Sequence, residues 1–434
     1  MADSAPSTAA TGSSAALLAM VLVAAALFGN FYVYDSVGPI ADLLQRQLGF
    51  SDTQIGTLNA IYSIPNVLLI LVGGILVDRL GAGKTLFWTA GICFLGAALT
   101  AASPSFPVMA TGRLLFGIGA ETFNIATLAA VTLFYPRRHT ALMMGLTLGM
   151  GRAGSWIADL SPSIWKGVYA AGWQQPLLLS AAIAGTSFAA SAAYWAIERR
   201  AAGTGTGAAH AQPFAWRDVL RFGSSYWYLV VLCVLWYGVI LAFRSTFAIK
   251  YFQHVHGLTL EEAGQINAHV FLAALFATPA FGWLCDRLGR YAGLLSFGAL
   301  LLPVSLSIMA VGKGGLGLAT VLIGISYSLV PAAMWPLVTR IVEPKKFGTA
   351  LGLMWVIQNA GIAGANLVAG WLNDRGLASA EHPAGYAGMM AFFIGSSAFG
   401  FAFSLLLWMR TREVPSPALA PAGAVAEVES RDPP

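Results

Sequence analysis

An all-α membrane protein of twelve transmembrane helices, arranged as two pseudo-symmetric bundles of six, is the fold this sequence predicts. Three observations lead there. The chain of 434 residues is 57% hydrophobic and only 10% charged, with a mean hydropathy of +0.70. A soluble domain carries about 25% charged residues, so this surface is not built to face water. Apolar stretches long enough to cross a bilayer recur along the chain, and the chain echoes itself at a fixed spacing.

Taken in order, the first six spans are 15–40, 53–77, 85–103, 106–134, 140–165 and 174–197. The second six are 224–252, 260–285, 291–311, 315–340, 347–373 and 384–410. Unbroken runs of this length exclude an outer-membrane barrel, whose strands alternate apolar and polar residues. No basic segment precedes the first run, and Asn30 and Asp35 interrupt it, so it reads as a retained helix rather than a cleaved signal. Arg79, Lys84, Arg137, Arg138, Arg199, Arg200 and their counterparts in the second half fall on one side. The other side holds only Arg46, Lys166, Lys250, Lys313 and Arg375. The first side is therefore predicted to be cytoplasmic, with both termini. Residues 1–14 and 412–434 read as disordered tails, and 198–223 as a cytoplasmic linker between bundles 15–197 and 224–411. Phe214–Arg221 within it has the pattern of a short amphipathic surface helix. The net charge of +5 is scattered through the loops rather than gathered in a tract, so a lipid bilayer is the expected partner and nucleic acid is not. Cys93, Cys233 and Cys285 lie in apolar stretches and read as buried thiols.

The echo is specific. Gly74-Ile-Leu-Val-Asp-Arg-Leu-Gly81 follows the second span, and Gly282-Trp-Leu-Cys-Asp-Arg-Leu-Gly289 follows the eighth, 208 residues on (282 − 74). Tyr135-Pro-Arg-Arg138 and Glu343-Pro-Lys-Lys346 repeat the offset. Two matches in register indicate duplication, and parallel six-helix repeats are a transporter architecture with substrate held between them at mid-membrane.

On these residues the sequence resembles the major facilitator superfamily across nearly its whole length. Gly-x-Leu-x-Asp-Arg-x-Gly is that superfamily's loop motif, and Gly112-Arg113 resembles a second signature. The resemblance implies a gating role for Gly74, Asp78, Arg79, Gly81, Gly282, Asp286, Arg287, Gly289 and Arg113. Asp78 and Asp286 can accept from the N-terminal amides of a neighbouring helix, and Arg79 and Arg287 can pair with acids, in one conformation and not the other; simple turn and topology signals are the alternative. Gly112-Arg-Leu-Leu-Phe-Gly-Ile-Gly-Ala-Glu121, Met150-Gly-Arg-Ala-Gly-Ser155, Ser326–Pro336, Ile357-Gln-Asn-Ala-Gly361, Tyr34-Asp35 and Tyr62-Ser-Ile-Pro-Asn66 look like the branch that includes an animal lysosomal dipeptide uniporter. That branch implies facilitated movement of dipeptides. The chain holds no dileucine sorting motif and no Asn-x-Ser/Thr sequon, so a bacterial inner membrane is the expected location.

Ionisable side chains within the hydrocarbon are expensive and usually face a cavity or a partner. Glu121 lies fifteen residues into span four and Arg152 twelve into span five, at similar depth, so the two are expected side by side. Arg152 suits a terminal carboxylate and Glu121 a terminal ammonium, and a zwitterion can replace their mutual pair. A permanent salt bridge between helices is one alternative; a proton carried by Glu121 is another. Asp35 and Arg244 occupy nearly equivalent places in the two halves and are read as a gate pair or as substrate contacts, with rim exposure the alternative. Asp159 is placed in a vestibule, and Lys250 and His254 at the rim. Tyr62, Asn66, Tyr327, Trp335, Gln358 and Asn359 complete the candidate binding set, with helix–helix hydrogen bonding or packing the competing role for each.

Gly81-Ala-Gly-Lys-Thr85 lacks the first glycine of a nucleotide-binding loop, because position 78 is Asp. The histidines are scattered and no hydrolase constellation stands out, so no enzyme, metal or cofactor is expected. The reading is an alternating-access carrier, active as a monomer, for small zwitterionic solutes such as dipeptides. The alternative is a proton-coupled organic-anion or drug carrier of the same superfamily.

Overall fold

The computed structural model describes residues 13–134, 137–201, 222–343 and 346–411. The expected tails, most of the linker and the amphipathic segment 214–221 lie outside them. The described residues are mostly helical, with no strand among them. Twelve of the helices have 19 residues or more. They are α1 Ser13–Asp35, α2 Asp52–Leu80, α3 Ala82–Ala102, α4 Phe106–Phe134, α5 Arg137–Ile164 and α6 Gln174–Ala201. In the second half they are α7 Ser224–Ala242, α8 Leu260–Leu288, α9 Tyr291–Val311, α10 Leu316–Ile341, α11 Phe347–Arg375 and α12 Ala387–Thr411. Ten helical segments among the described residues are long and apolar enough to cross a membrane.

Two expected spans are broken. α1 stops at Asp35, passes through a 3-10 turn at Gly38–Ile40, and resumes as the helix Ala41–Leu48. α7 passes through a π-helical turn at Phe243–Phe247 into Ala248–His256. The breaks fall at equivalent places in the repeat (243 − 208 = 35), and they pack backbone to backbone. A Cβ on Gly38 would sit 2.8 Å from the Ser245 carbonyl oxygen.

Large apolar side chains such as Trp88, Leu95, Phe276, Phe297, Leu318 and Phe399 are exposed, while Asn30, Asn59, Asn66, Asn267 and Asn366 are buried. This is the distribution expected where lipid is the solvent and polar groups bond helix to helix. Glycines set the close crossings. A Cβ on Gly96 would lie 2.5 Å from the Phe116 amide nitrogen, which fixes α3 on α4. One on Gly154 would lie 2.1 Å from the Phe28 carbonyl oxygen, which fixes α5 on α1.

The halves meet along α2 with α11 and α5 with α8. Gly56 of α2 faces the Asn366 backbone of α11, and Gly264 of α8 faces the Asp159 backbone of α5, each with 2.4 Å for an added Cβ. Both contacts lie near the end opposite the two repeated loops. We call the loop-bearing end the motif end and the other the far end.

Candidate substrate site and gate

The far end is closed by buried charge. Arg244 is 2% exposed and reaches Asp35 of α1 and Asp159 of α5, each at 2.5 Å. Its guanidinium also stands 4.0 Å from the centre of the Phe271 ring. Asn267 of α8 donates to Asp159 at 2.9 Å and to the Arg244 carbonyl at 3.2 Å. The π turn presents Arg244, Ser245 and Thr246 to the other half together, which a regular helix of the same sequence does not do. Asn59 donates to the Ser245 carbonyl at 3.3 Å and to Thr246 at 2.7 Å, and Thr246 donates to Asn366 at 2.7 Å. Lys250, fully buried, pairs with Asp52. His254 bridges Asp42 and the Tyr386 hydroxyl, at 2.8 Å each.

Several expectations change here. Asp159 is a buried ion-pair partner rather than a vestibule residue. Lys250 and His254 are interface residues rather than rim residues, because the helix after the π turn is directed against α2 and the segment Ala41–Leu48. Asp35 and Arg244 form an ion pair across the halves, so in this conformation they present no free charge. Asp52, Asp42 and Asp374 were missed. Ser51-x-x-Gln54 signals a helix start and accounts for Asp52 locally, and nothing nearby in the sequence points to partners about 200 or 320 residues away.

Arg113 is buried and donates to the carbonyls of Leu58 at 3.2 Å, Val33 at 3.1 Å and Tyr34 at 3.1 Å, and to Asn59 at 2.6 Å. It ties α4 to the end of α1 and to α2 within one half. All of these hydrogen bonds stay within that half.

Glu121 and Arg152 are not an ion pair. α1 packs broadly on α5 and also touches α4, whereas α4 and α5 share only a short contact. Glu121 is buried near Tyr62 and makes no hydrogen bond or ion pair with the described residues. Arg152 holds its guanidinium 5.1 Å from the centre of the Tyr327 ring in the other half. Its Nη1 is buried with no hydrogen-bond partner among the described residues. Tyr327 stacks on Trp236 at 6.0 Å. Tyr62 meets Tyr34 at 4.8 Å and Phe116 at 5.5 Å. Asn66 donates to Asn359 across the halves at 3.3 Å, Gln358 accepts from Cys233 at 3.6 Å, and Trp335 packs on Trp355 at 5.8 Å. An apolar groove of about 820 Å³ between α9 and α12, lined by Leu300, Pro303, Val304 and Phe401, is remote from all these polar groups.

Among the described residues no hydrogen bond or ion pair crosses between the halves on the motif-end side of Asn66 and Asn359. Gly81 and Gly289 close their turns at φ +83° and +62°, with amides bonded at 2.9 Å to Val77 and Cys285 respectively. Only glycine takes that backbone without strain. Gly74 and Gly282 have open space where a Cβ would be. Asp286 accepts from Tyr291 in its own half at 3.1 Å, Arg287 lies over Trp283, and Asp78 and Arg79 have no partner among the described residues. Among the described residues these loops make no hydrogen bond or ion pair across the halves.

The profile of the Major Facilitator Superfamily matches residues 23–366 and, in a second match, 240–428. The chain belongs to the Major Facilitator Superfamily. It is a multi-pass membrane transporter for small molecules rather than an enzyme. Among its relatives, the human lysosomal dipeptide transporter MFSD1 is 26% identical over 417 residues, covering 91% of this chain and 86% of that protein. The probable sulfoacetate transporter SauU of Cupriavidus necator is 24% identical over 377 residues, covering 78% and 83%. The crystal structure of a bacterial homologue of the human lysosomal transporter Spinster, inward-facing and unoccupied, superposes with a TM-score of 0.73 at 14% identity. It covers 94% of this chain and all of its own, and supports the fold alone.

Proposed function

We propose that the chain is an alternating-access carrier that moves small zwitterionic solutes, dipeptides foremost, by facilitated diffusion. The motif end faces the cytoplasm of a bacterial cell, as the Lys and Arg distribution favours, both termini lie there, and a single chain is the working unit. The state seen is then closed to the outside. The observation that carries the substrate reading is the buried, unpartnered Nη1 of Arg152, facing across the halves toward Tyr327, with an unpaired Glu121 on α4. An isolated buried charge is costly, and a charge-assisted bond from a ligand relieves it. A dipeptide brings a carboxylate to Arg152 and an ammonium to Glu121 at once. It need not displace an internal salt bridge, since the two groups are already separate. The family relative that transports dipeptides supports the same class. Tyr62, Asn66, Tyr327, Trp335, Gln358 and Asn359 line the path between the two charges.

A second reading, a proton-coupled organic-anion carrier, draws on the sulfoacetate relative and needs only Arg152. Uptake into liposomes by purified protein separates them. Dipeptides are expected to show uptake and counterflow without a pH gradient, and Glu121→Gln and Arg152→Ala each to abolish it. Full dipeptide uptake in both variants ends the clasp. Accumulation of sulfoacetate driven by a pH gradient, with none of dipeptide, selects the second reading.

A further inference from the structure

The N-terminus of α2 is satisfied by the opposite half of the molecule. Ser51 accepts from the Gln54 amide at 3.2 Å, as a helix cap ordinarily does. The next two free amides, of Asp52 and Thr53, donate to the two carboxylate oxygens of Asp374, at 2.7 and 2.9 Å. Asp374 is the penultimate residue of α11, which reaches α2 through Gly370. A Cβ there would lie 2.4 Å from the Asp52 carbonyl oxygen. The other capped helix starts stay within one half. Glu198 accepts from the Gly83 amide of α3 at 2.8 Å, and Thr259 accepts from Glu262 of α8 at 3.2 Å.

α2 and α11 are antiparallel and each is 29 residues long. Each carries an Asp in its last turn, Asp78 on α2 and Asp374 on α11. In the state seen Asp374 caps α2, while Asp78 has no partner among the described residues and no side chain caps α11. A carboxylate at a helix N-terminus is held by the free amides and by the dipole together.

We propose that Asp374 is a positioning residue for transport, the far-end member of a reciprocal pair of caps. It holds α2 while the far end is closed, and releases it as Asp78 takes the N-terminus of α11 and the motif end closes. The two contacts exclude one another, because α2 and α11 tilt as rigid rods about their crossing near Asn66 and Asn359. The inference rests on the alternating-access reading and not on the identity of the cargo.

The test is the distance between spin labels on cysteines introduced at Ala170 and Ala380, one in each half at the far end, measured by double electron–electron resonance in nanodiscs without substrate. Loss of a cap is expected to shift the ratio of closed to open far end by roughly three- to thirtyfold in Asp374→Ala. Asp374→Asn, which keeps one acceptor and the side-chain volume, is expected to shift it less, and it carries the comparison if the alanine variant does not fold. Asp78→Asn shifts the ratio the opposite way, and the double variant returns toward the unaltered protein. Asp374 variants with an unchanged distribution, or a shift that Asp78→Asn fails to counter, overturn the proposal. So does one fixed distance in every variant, which also removes alternating access. A shift in a protein that moves no dipeptide leaves the caps standing and removes only the substrate reading.

Discussion

At Arg244 one guanidinium meets two carboxylates from the other half, all of it out of contact with water. Removing one partner of a buried pair costs about 3–5 kcal/mol, because the remaining charge is left bare. Arg244→Ala leaves two such carboxylates and is expected to open the far end and lower the unfolding temperature in detergent. Arg244→Lys keeps the charge but loses the fork that spans both acids, and is expected to fall between alanine and the unaltered protein. A thermal unfolding series over these variants and Asp159→Asn checks the order. Equal stability in all of them removes the gate assignment. The Asp35–Arg244 pair is legible in the sequence because a repeat brings equivalent positions together about its two-fold axis. Asp159 is not, because an acid in an outer half-span looks the same whether it faces a vestibule or a buried arginine. The separation of Glu121 and Arg152 is hidden for a similar reason. Depth follows from residue count, but the direction around the helix axis depends on which neighbour fills the space between.

Among the elements, α5 takes its position from α1. Gly154 and Gly151 lie against Phe28 and Phe31, and Arg152 sits between these two glycines in sequence. Gly154→Val is expected to push α5 off α1 and displace the guanidinium. The apparent affinity for dipeptide then falls while expression persists, read as a raised KM in liposome uptake. An unchanged KM argues that α5 does not position Arg152. Gly56→Val has a different consequence. The added side chain meets the α11 backbone, so the far end cannot close, and an introduced cysteine at Asn59 is expected to stay reactive to a small water-soluble maleimide. Gly74→Ala meets nothing in this state, so any loss of uptake there reports on the other one. The element boundaries of α4 and α9 follow the apolar runs closely. The breaks in α1 and α7 do not show, since the apolar runs on either side of Gly38-Pro39 and Phe243–Phe247 carry a span across them.

The whole molecule is apolar outside and polar between its halves, with its cross-half hydrogen bonds and ion pairs gathered at one end among the described residues. If the charge rule sets the topology, a cysteine at Ala380 is labelled by an impermeant maleimide added to intact cells, and one at Arg290 only after the cells are opened. The reverse pattern inverts the proposed orientation. The same arrangement predicts a closed far end that resists moderate salt, because the Arg244, Lys250 and Asp52 charges are buried where screening is weak. The separation of the Ala170 and Ala380 labels across a salt series tests this.

Membrane class, the apolar spans, the repeat offset and several of the charged residues worth asking about, such as Asp35 and Arg244, were determined by the sequence. They depend on composition, on run length and on a repeat offset, each of which is a local or additive property of the chain. Partnership was decided only by the tertiary structure. Asp374 caps a helix that starts 322 residues earlier, Lys250 meets Asp52, and Arg152 turns to Tyr327 rather than to Glu121. Leaving a buried charge unpaired is costly, and which partner it finds is set by helix rotation and by the close approaches that glycines permit across the interface.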